Sequence, residues 1–493
     1  MGRPETRLHL RGALLRDVGW AVAGALLALV PCAFMWGFTV DDALISVRYA
    51  RHVAAGLGYR FNVGGPVTDG VTPLPWAFLL APFARAPALD VLVRAKYMGL
   101  AAWIAAAAVF GVAVGRAPSR AGACSLVAKG AALVVLALSL PVAAHVVSGM
   151  ETGITIACAT MAALSASRHP RMCAALAGFA AALRPEMAPW AASLAFGVAW
   201  AGRSTVSRAI VNAVIAIAPF AACTLVRVAV FGRPAPLAVL AKPSDLSHGA
   251  VYAVAALLVT ATPILVLSPL ALLRGPRAAR AVVGAAAVHI ASIAAVGGDW
   301  MPYARLLSPI APSLAWAYVL LLPCAHRFAT ALRASAALTV GAANFVHASP
   351  AGRTVSDDRR ALVARARPYL TDAATVAALD IGWVSAATEG TIVDLAGVTD
   401  LDVAALPGGH TSKRIDAPLV LSKHPDALLF RVGGGILGGG AGDLSAWQDA
   451  RYNYLVEARL AHSDLIATHF APRAFLPLGQ TGGGYVLLVR REP

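Results

Sequence analysis

Charge is what this chain has least of: only 13% of its 493 residues are Asp, Glu, Lys or Arg, roughly half the share of a soluble globular protein. With 58% hydrophobic residues, that shortage excludes an ordinary soluble domain and places most of the chain in a bilayer. Acids are scarcer than bases, 25 against 41, for a formal net charge of +16. The bases sit in short clusters between apolar runs, with no basic stripe interleaved with aromatics, so nucleic acid is not an expected partner. All six cysteines lie in or beside apolar runs, which argues against a disulfide framework and a thiolate metal site. GxSxG, HExxH and Cys–His patterns are missing, and His145 and His289 stand singly in apolar stretches. No cofactor is therefore indicated; a divalent metal is compatible with the sequence but not called for by it. No internal repeat of the kind built into many transporters is visible.

What is present is a succession of apolar stretches near the ~20 residues that cross a bilayer. They fall at about 18–38, 91–114, 126–147, 151–167, 171–183, 187–201, 208–231, 250–273, 279–296, 303–323 and 326–346. Basic clusters at 116–129, 168–171, 203–208, 274–280 and 327–333 mark one side, and the remaining joints carry nearly all the acids. The charge rule then gives a cytoplasmic N-terminus and leaves 71–86 lying on or dipping into the surface. The first apolar run is too long for a signal peptide and lacks a clear cleavage site, so it reads as an uncleaved span.

The expected fold is a polytopic α-helical membrane protein of about 11 spans, residues 1–350, with a first outer loop at 39–90. A C-terminal extracytoplasmic α/β domain follows at 351–493, with short apolar runs (TVAALDIG, TIVDLAGV, DALLFRV, YVLLVRR) and helical stretches at 357–367 and 444–461. GGGILGGGAG (433–442) reads as a loop, because it lacks the strand-and-helix setting of a phosphate cradle.

The chain is organised around Phe38–Trp76, which opens on Asp41 and Asp42 where the first span ends. A carboxylate at a membrane centre costs about 2.5–3.5 kcal/mol, so both belong at the lipid–water boundary, where function is the default suspicion. DDALISVRYARHVAAG fits a surface helix with Asp41 and Arg48 on one face. Two readings stay open: a carboxylate and guanidinium that address a hydroxyl and a phosphate, or an Asp pair capping the helix while the arginines snorkel. Glu151 in HVVSGMETGI is a second acid at a span end, either a site residue or a helix N-terminal charge. Arg184-Pro185-Glu186 breaks an apolar stretch, as a structural ion pair or with Arg184 on a phosphate. GGDWMPYARLLSP brings Asp299, Trp300 and Arg305, as a ligand loop or an interfacial Trp anchor.

The string Asp41-Asp42-Ala43, Arg48-Tyr49-Ala50, Gly56, Gly58, Phe61-Asn62, Gly64-Gly65 and Asp69 to Trp76 resembles the first outer loop of GT-C glycosyltransferases. Within them it is most similar to the branch holding the mycobacterial terminal arabinofuranosyltransferases. Ser148-Gly149-Met150-Glu151-Thr152, Leu183-Arg184-Pro185-Glu186, Gly297 to Pro302, Asp380-Ile381-Gly382 and Val393 to Asp400 add weaker matches. Leu44 stands where that branch has Tyr, Asp69 where it has Glu, and Val71 and Pro73 where it has Tyr and Asn; these departures bear on acceptor and sugar identity.

The resemblance implies an inverting transferase in a bacterial cytoplasmic membrane. It would move a sugar, with arabinofuranose favoured, from a polyprenyl-phosphate donor to a cell-envelope glycan or lipid acceptor. It implies a catalytic set of Asp41 as general base with Asp42 and Glu151 positioning acceptor or sugar hydroxyls, and Arg184, Arg305 and Arg48 on the donor phosphate. Glu186, Asp299, Trp300, Trp76 and Tyr49 would contact substrate. The alternative is a transporter or flippase of lipid-linked sugars, and in either case membrane lipids are partners.

Overall fold

Small residues let apolar helices meet backbone to backbone where lipid offers no hydrophobic drive between them. In the computed structural model, Gly24 and Gly111 face each other so closely that a Cβ on Gly24 would lie 2.3 Å from the Ala107 carbonyl oxygen. One on Gly111 would lie 2.1 Å from that of Trp20. Gly99 and Gly153 form a second such crossing, and Gly178 meets the backbone of Ala216. The structure describes residues 4–118, 123–201, 205–242, 244–266, 275–348, 350–433, 444, 447–479 and 483–491.

Among the described residues the chain is mostly helical (67%), with one sheet, in the C-terminal part. It divides into two compact units, each drawn from three pieces of sequence: 1–36 with 95–223 and 244–349, and 37–94 with 224–243 and 350–493. Among the described residues four helices are long and apolar enough to cross a membrane: Arg11–Phe34, Ala88–Arg116, Val206–Phe231 and Arg277–Ala295. The pair Ser125–Ala137 and Leu140–Val146, bent by 51°, makes five if it is one span. Thr152–Ser165, Pro170–Leu183, Leu246–Thr260 and Ser308–Leu321 are apolar but shorter.

The breaks have local causes. Pro141 and Pro170 stand in the first turns of their helices, and Pro185 opens a single 3-10 turn directly after Arg184 leaves helical geometry (φ −134°, ψ 95°). The apolar stretch expected at 250–273 ends its helix at Thr260, where Ala261 turns left-handed (φ 57°). Its last part, from 267, lies outside the described residues, as do most of the glycine-rich segment 433–442 and the basic positions Arg120, Arg203 and Arg274.

The second unit carries a five-stranded sheet in the order β2-β1-β3-β5-β4. Strands β1 (Thr375–Ala378), β2 (Thr391–Asp394) and β3 (Ala427–Val432) run parallel; β5 (Gly483–Arg490) and β4 (Phe470–Leu478) join antiparallel. The apolar runs expected as strands are β1, β2, β3 and β5. The fifth strand is unexpected because FAPRAFLPL holds two prolines. It is an edge strand with a register shift between Pro472 and Ala474, a setting in which missing N–H donors are tolerated. Ala377, Val393, Leu428, Phe430, Val486 and Leu488 fill the core beneath the helix Leu455–Ala461 and its neighbours.

In the same unit the helix Asp41–Ala54 packs on the helix Ile381–Ala387. The approach is close: a Cβ on Gly382 would lie 2.1 Å from the Asp41 carbonyl oxygen.

Candidate functional site

Asp41 and Asp42 occupy the first turn of their helix, behind Val40, and neither side chain caps it. The Asp41 carboxylate caps a different helix instead. Its oxygens accept the backbone N–H of Gly382 (2.7 Å) and Trp383 (3.0 Å), and it pairs with the Arg359 guanidinium. Burial raises its pKa to about 6, with Arg359 opposing. With three donors on it, the carboxylate has its oxygens occupied by the chain itself. Asp42, half-buried beside it, has no hydrogen bond or ion pair to its carboxylate among the described residues; only its backbone oxygen is engaged, by Ser46 Oγ.

Arg48 does share the Asp41 face, as its seven-residue spacing requires, but its three nitrogens donate to carbonyls: Phe61 (2.7 Å), Thr388 (3.1 Å) and Gly390 (2.7 Å). It is 2% exposed and stacks over the Phe61 ring. That geometry makes it a clamp on the chain, with the donors expected on a phosphate given to carbonyls. Tyr49 is likewise engaged by the chain. It is fully buried, shares a hydrogen bond with Thr68 Oγ1 (2.9 Å) and accepts the Gly70 N–H. Trp76 is also sealed from solvent, with its indole Nε1 unpartnered. Asp69 forms a buried pair with Arg227 (2.6 Å), which also reaches the Thr72 carbonyl.

The matching tail motif is structural too. In VDLAGVTD the Asp394 carboxylate accepts the N–H groups of Ala396, Gly397 and Thr399, building a turn; burial lifts its pKa to about 6 against those bonds. Asp380, at the start of the helix Ile381–Ala387, accepts from Tyr485 Oη (2.5 Å) and Arg431. Glu457 is buried nearby, with its pKa pushed well up by burial. The sequence reading missed Arg359, Arg227, Arg431 and Tyr485, because each partner lies more than 100 residues from its carboxylate or, for Arg431 and Asp380, 51 residues away. Such distances leave no spacing to read.

The other unit brings together three of the expected residues around the helix breaks. Glu151 is fully buried and Arg184 2% exposed. Arg184 Nη1 donates to Glu151 Oε1 (3.0 Å), and Nη2 lies 2.7 Å from Glu186 Oε1, an ion pair at an angle that makes no hydrogen bond. Glu151 Oε2 and Arg184 Nε are left without partners. One arginine between two acids leaves the cluster short of positive charge, with a spare acceptor and a spare donor in a buried place.

Asp299 and Arg305 form a fork (2.6 and 3.1 Å) across a loop with four positive φ values, at Gly297, Gly298, Tyr303 and Ala304. The last two are not glycine, and such backbone is held only where surroundings over-determine it. His145 in the same unit bonds the Pro302 carbonyl of that loop (3.1 Å). Trp300 is 71% exposed and stacks on His248, 4.4 Å between ring centres. No group of three metal-binding side chains occurs among the described residues.

Residues 353–481 match a family model described as a domain of unknown function (DUF8728), about a quarter of the chain. No curated protein and no solved structure matches the sequence.

Proposed function

We propose that this chain is a GT-C-type membrane glycosyltransferase with about 11 spans, which transfers a sugar from a polyprenyl phosphate to a cell-envelope acceptor outside the cytoplasmic membrane. One observation supports the reading: Glu151 and Arg184 are buried at breaks in apolar helices, with Glu186 half-buried beside them, and keep an unpartnered carboxylate oxygen and guanidinium N–H. Ionisable groups buried among apolar helices are rare and are by default suspected of a function. A spare acceptor beside a spare donor is what sugar hydroxyls satisfy.

In this reading Glu151 holds a sugar hydroxyl and stabilises the positive charge that develops at the anomeric carbon. Arg305 and Arg184 take the donor phosphate, each exchanging a carboxylate partner for a phosphate oxygen. Glu186, Asp299 and Trp300 line the sugar. In the sheet-bearing unit the candidate base is Asp42, whose carboxylate has open lone pairs where that of Asp41 is engaged. In the transfer itself a carboxylate base takes the acceptor hydroxyl proton as the acceptor oxygen bonds to the anomeric carbon, the carbon–phosphate oxygen bond breaks, and polyprenyl phosphate leaves with inversion.

A carrier of lipid-linked sugars is the second reading, favoured by one feature: discontinuous helices with charge at the break are how transporters build substrate sites. Purified protein in vesicles, given a labelled polyprenyl-phosphate sugar and an acceptor, separates the two. Glycosylated acceptor and free polyprenyl phosphate support the transferase; leaflet exchange of intact donor supports the carrier.

A further inference from the structure

A cavity of about 750 Å³ opens at the joint between the helices Thr152–Ser165 and Pro170–Leu183 and the start of Val206–Phe231. Its lining includes Arg168, Arg171, Arg208, His169 and Asn212, and no acid. The three arginines have no carboxylate partner among the described residues, so their charge is uncompensated. Two helices begin here, and the N–H groups of their first turns lack intrahelical acceptors, which adds partial positive charge. Independently, Asn212 is 6% exposed, faces the cavity and has no hydrogen bond among the described residues. A buried amide without a partner is a donor awaiting an acceptor.

The surroundings say which anion fits. Val206–Phe231 is one of the helices able to cross a membrane, and the cavity sits at its end, the level at which a spanning helix would meet headgroup phosphates. Val206, Ile210 and Val214 are 50–60% exposed and follow one another at helical spacing, an apolar stripe leading away from the arginines. A soluble phosphate would use the basic mouth and leave that stripe idle. An amphiphile uses both, and basic pockets between membrane helices bind anionic headgroups.

We propose that this cavity is a binding site for an anionic phospholipid. The phosphate lies on Arg168, Arg171, Arg208 and the Asn212 amide, and an acyl chain follows Val206, Ile210 and Val214. The site is independent of the transferase reading and holds for a carrier equally.

The test uses the purified full chain in detergent micelles, with retained lipid counted by native mass spectrometry. The probes are phosphatidylglycerol, phosphatidylcholine and inorganic phosphate. Phosphatidylglycerol should bind saturably, phosphatidylcholine should not compete, and inorganic phosphate should displace only at far higher concentration. Replacing all three arginines by glutamine should weaken phosphatidylglycerol roughly a hundredfold. Asn212→Leu, which keeps every charge, should weaken it several-fold. Equal retention of phosphatidylcholine, tight binding of inorganic phosphate alone, or unchanged phosphatidylglycerol binding in both variants would overturn the assignment.

Discussion

Adjacent carboxylates can have opposite fates, and Asp41 and Asp42 do. Asp41 is spent on Gly382, Trp383 and Arg359, so Asp41→Ala strips acceptors from two backbone N–H groups and a guanidinium. Unfolding measurements should show a loss of about 2–4 kcal/mol. Asp42→Asn should leave unfolding unchanged and lower turnover by roughly 10²–10⁴-fold; normal turnover in that variant removes Asp42 from the base role. Asp41 also gives a pH signature. Its pKa moves from 3.8 to about 6 on folding, so between those values the folded chain binds more protons than the unfolded one. Its contribution therefore disfavours the fold increasingly as pH rises from about 4 to about 6, then levels off. Asp41→Asn removes that dependence. The stability gap between wild type and Asp41→Asn should be wider near pH 4.5 than at pH 7, read from denaturant melts at both.

Among the elements, what could be read from sequence followed local pattern. The strands of TVAALDIG, TIVDLAGV, DALLFRV and YVLLVRR announce themselves as short apolar runs between turns, and the helix after Asp41 by its apolar-to-basic stripe, though it is largely buried and not the surface helix expected. Where long-range partners decide, the pattern was silent. Nothing near Phe470 says that its proline-bearing run would find an open sheet edge, nor does the spacing of Arg48 reveal that it would clamp Thr388 and Gly390. Resemblance located the Glu151, Arg184 and Glu186 cluster, while distance alone showed it to be charge-deficient. The helix crossings gave no such warning, since a glycine in an apolar run has no periodic signature. Gly24→Leu should drive Arg11–Phe34 away from Ala88–Arg116, because its Cβ would start 2.3 Å from a carbonyl oxygen. Expect loss of monodisperse protein in detergent; a normal elution profile and melt would contradict the close crossing.

At the scale of the whole molecule, the sheet-bearing unit is not a C-terminal appendage, since residues 37–94 and 224–243 belong to it. Asp41 caps one of its helices, Arg48 holds two of its carbonyls and Asn62 exchanges two hydrogen bonds with Ile392. A fragment of 350–493 alone should therefore aggregate or melt early, and fusion to 37–94 should restore a cooperative melt.

The central claim is sugar transfer, and the most direct measurement is incubation of the purified full chain with a panel of polyprenyl-phosphate sugars and envelope acceptors. Mass spectrometry of both lipid and acceptor would follow the reaction. One donor should be consumed, yielding free polyprenyl phosphate and an acceptor heavier by one sugar, and Asp42→Asn should yield neither. Donors left intact across the panel, with wild type and Asp42→Asn indistinguishable, would contradict it.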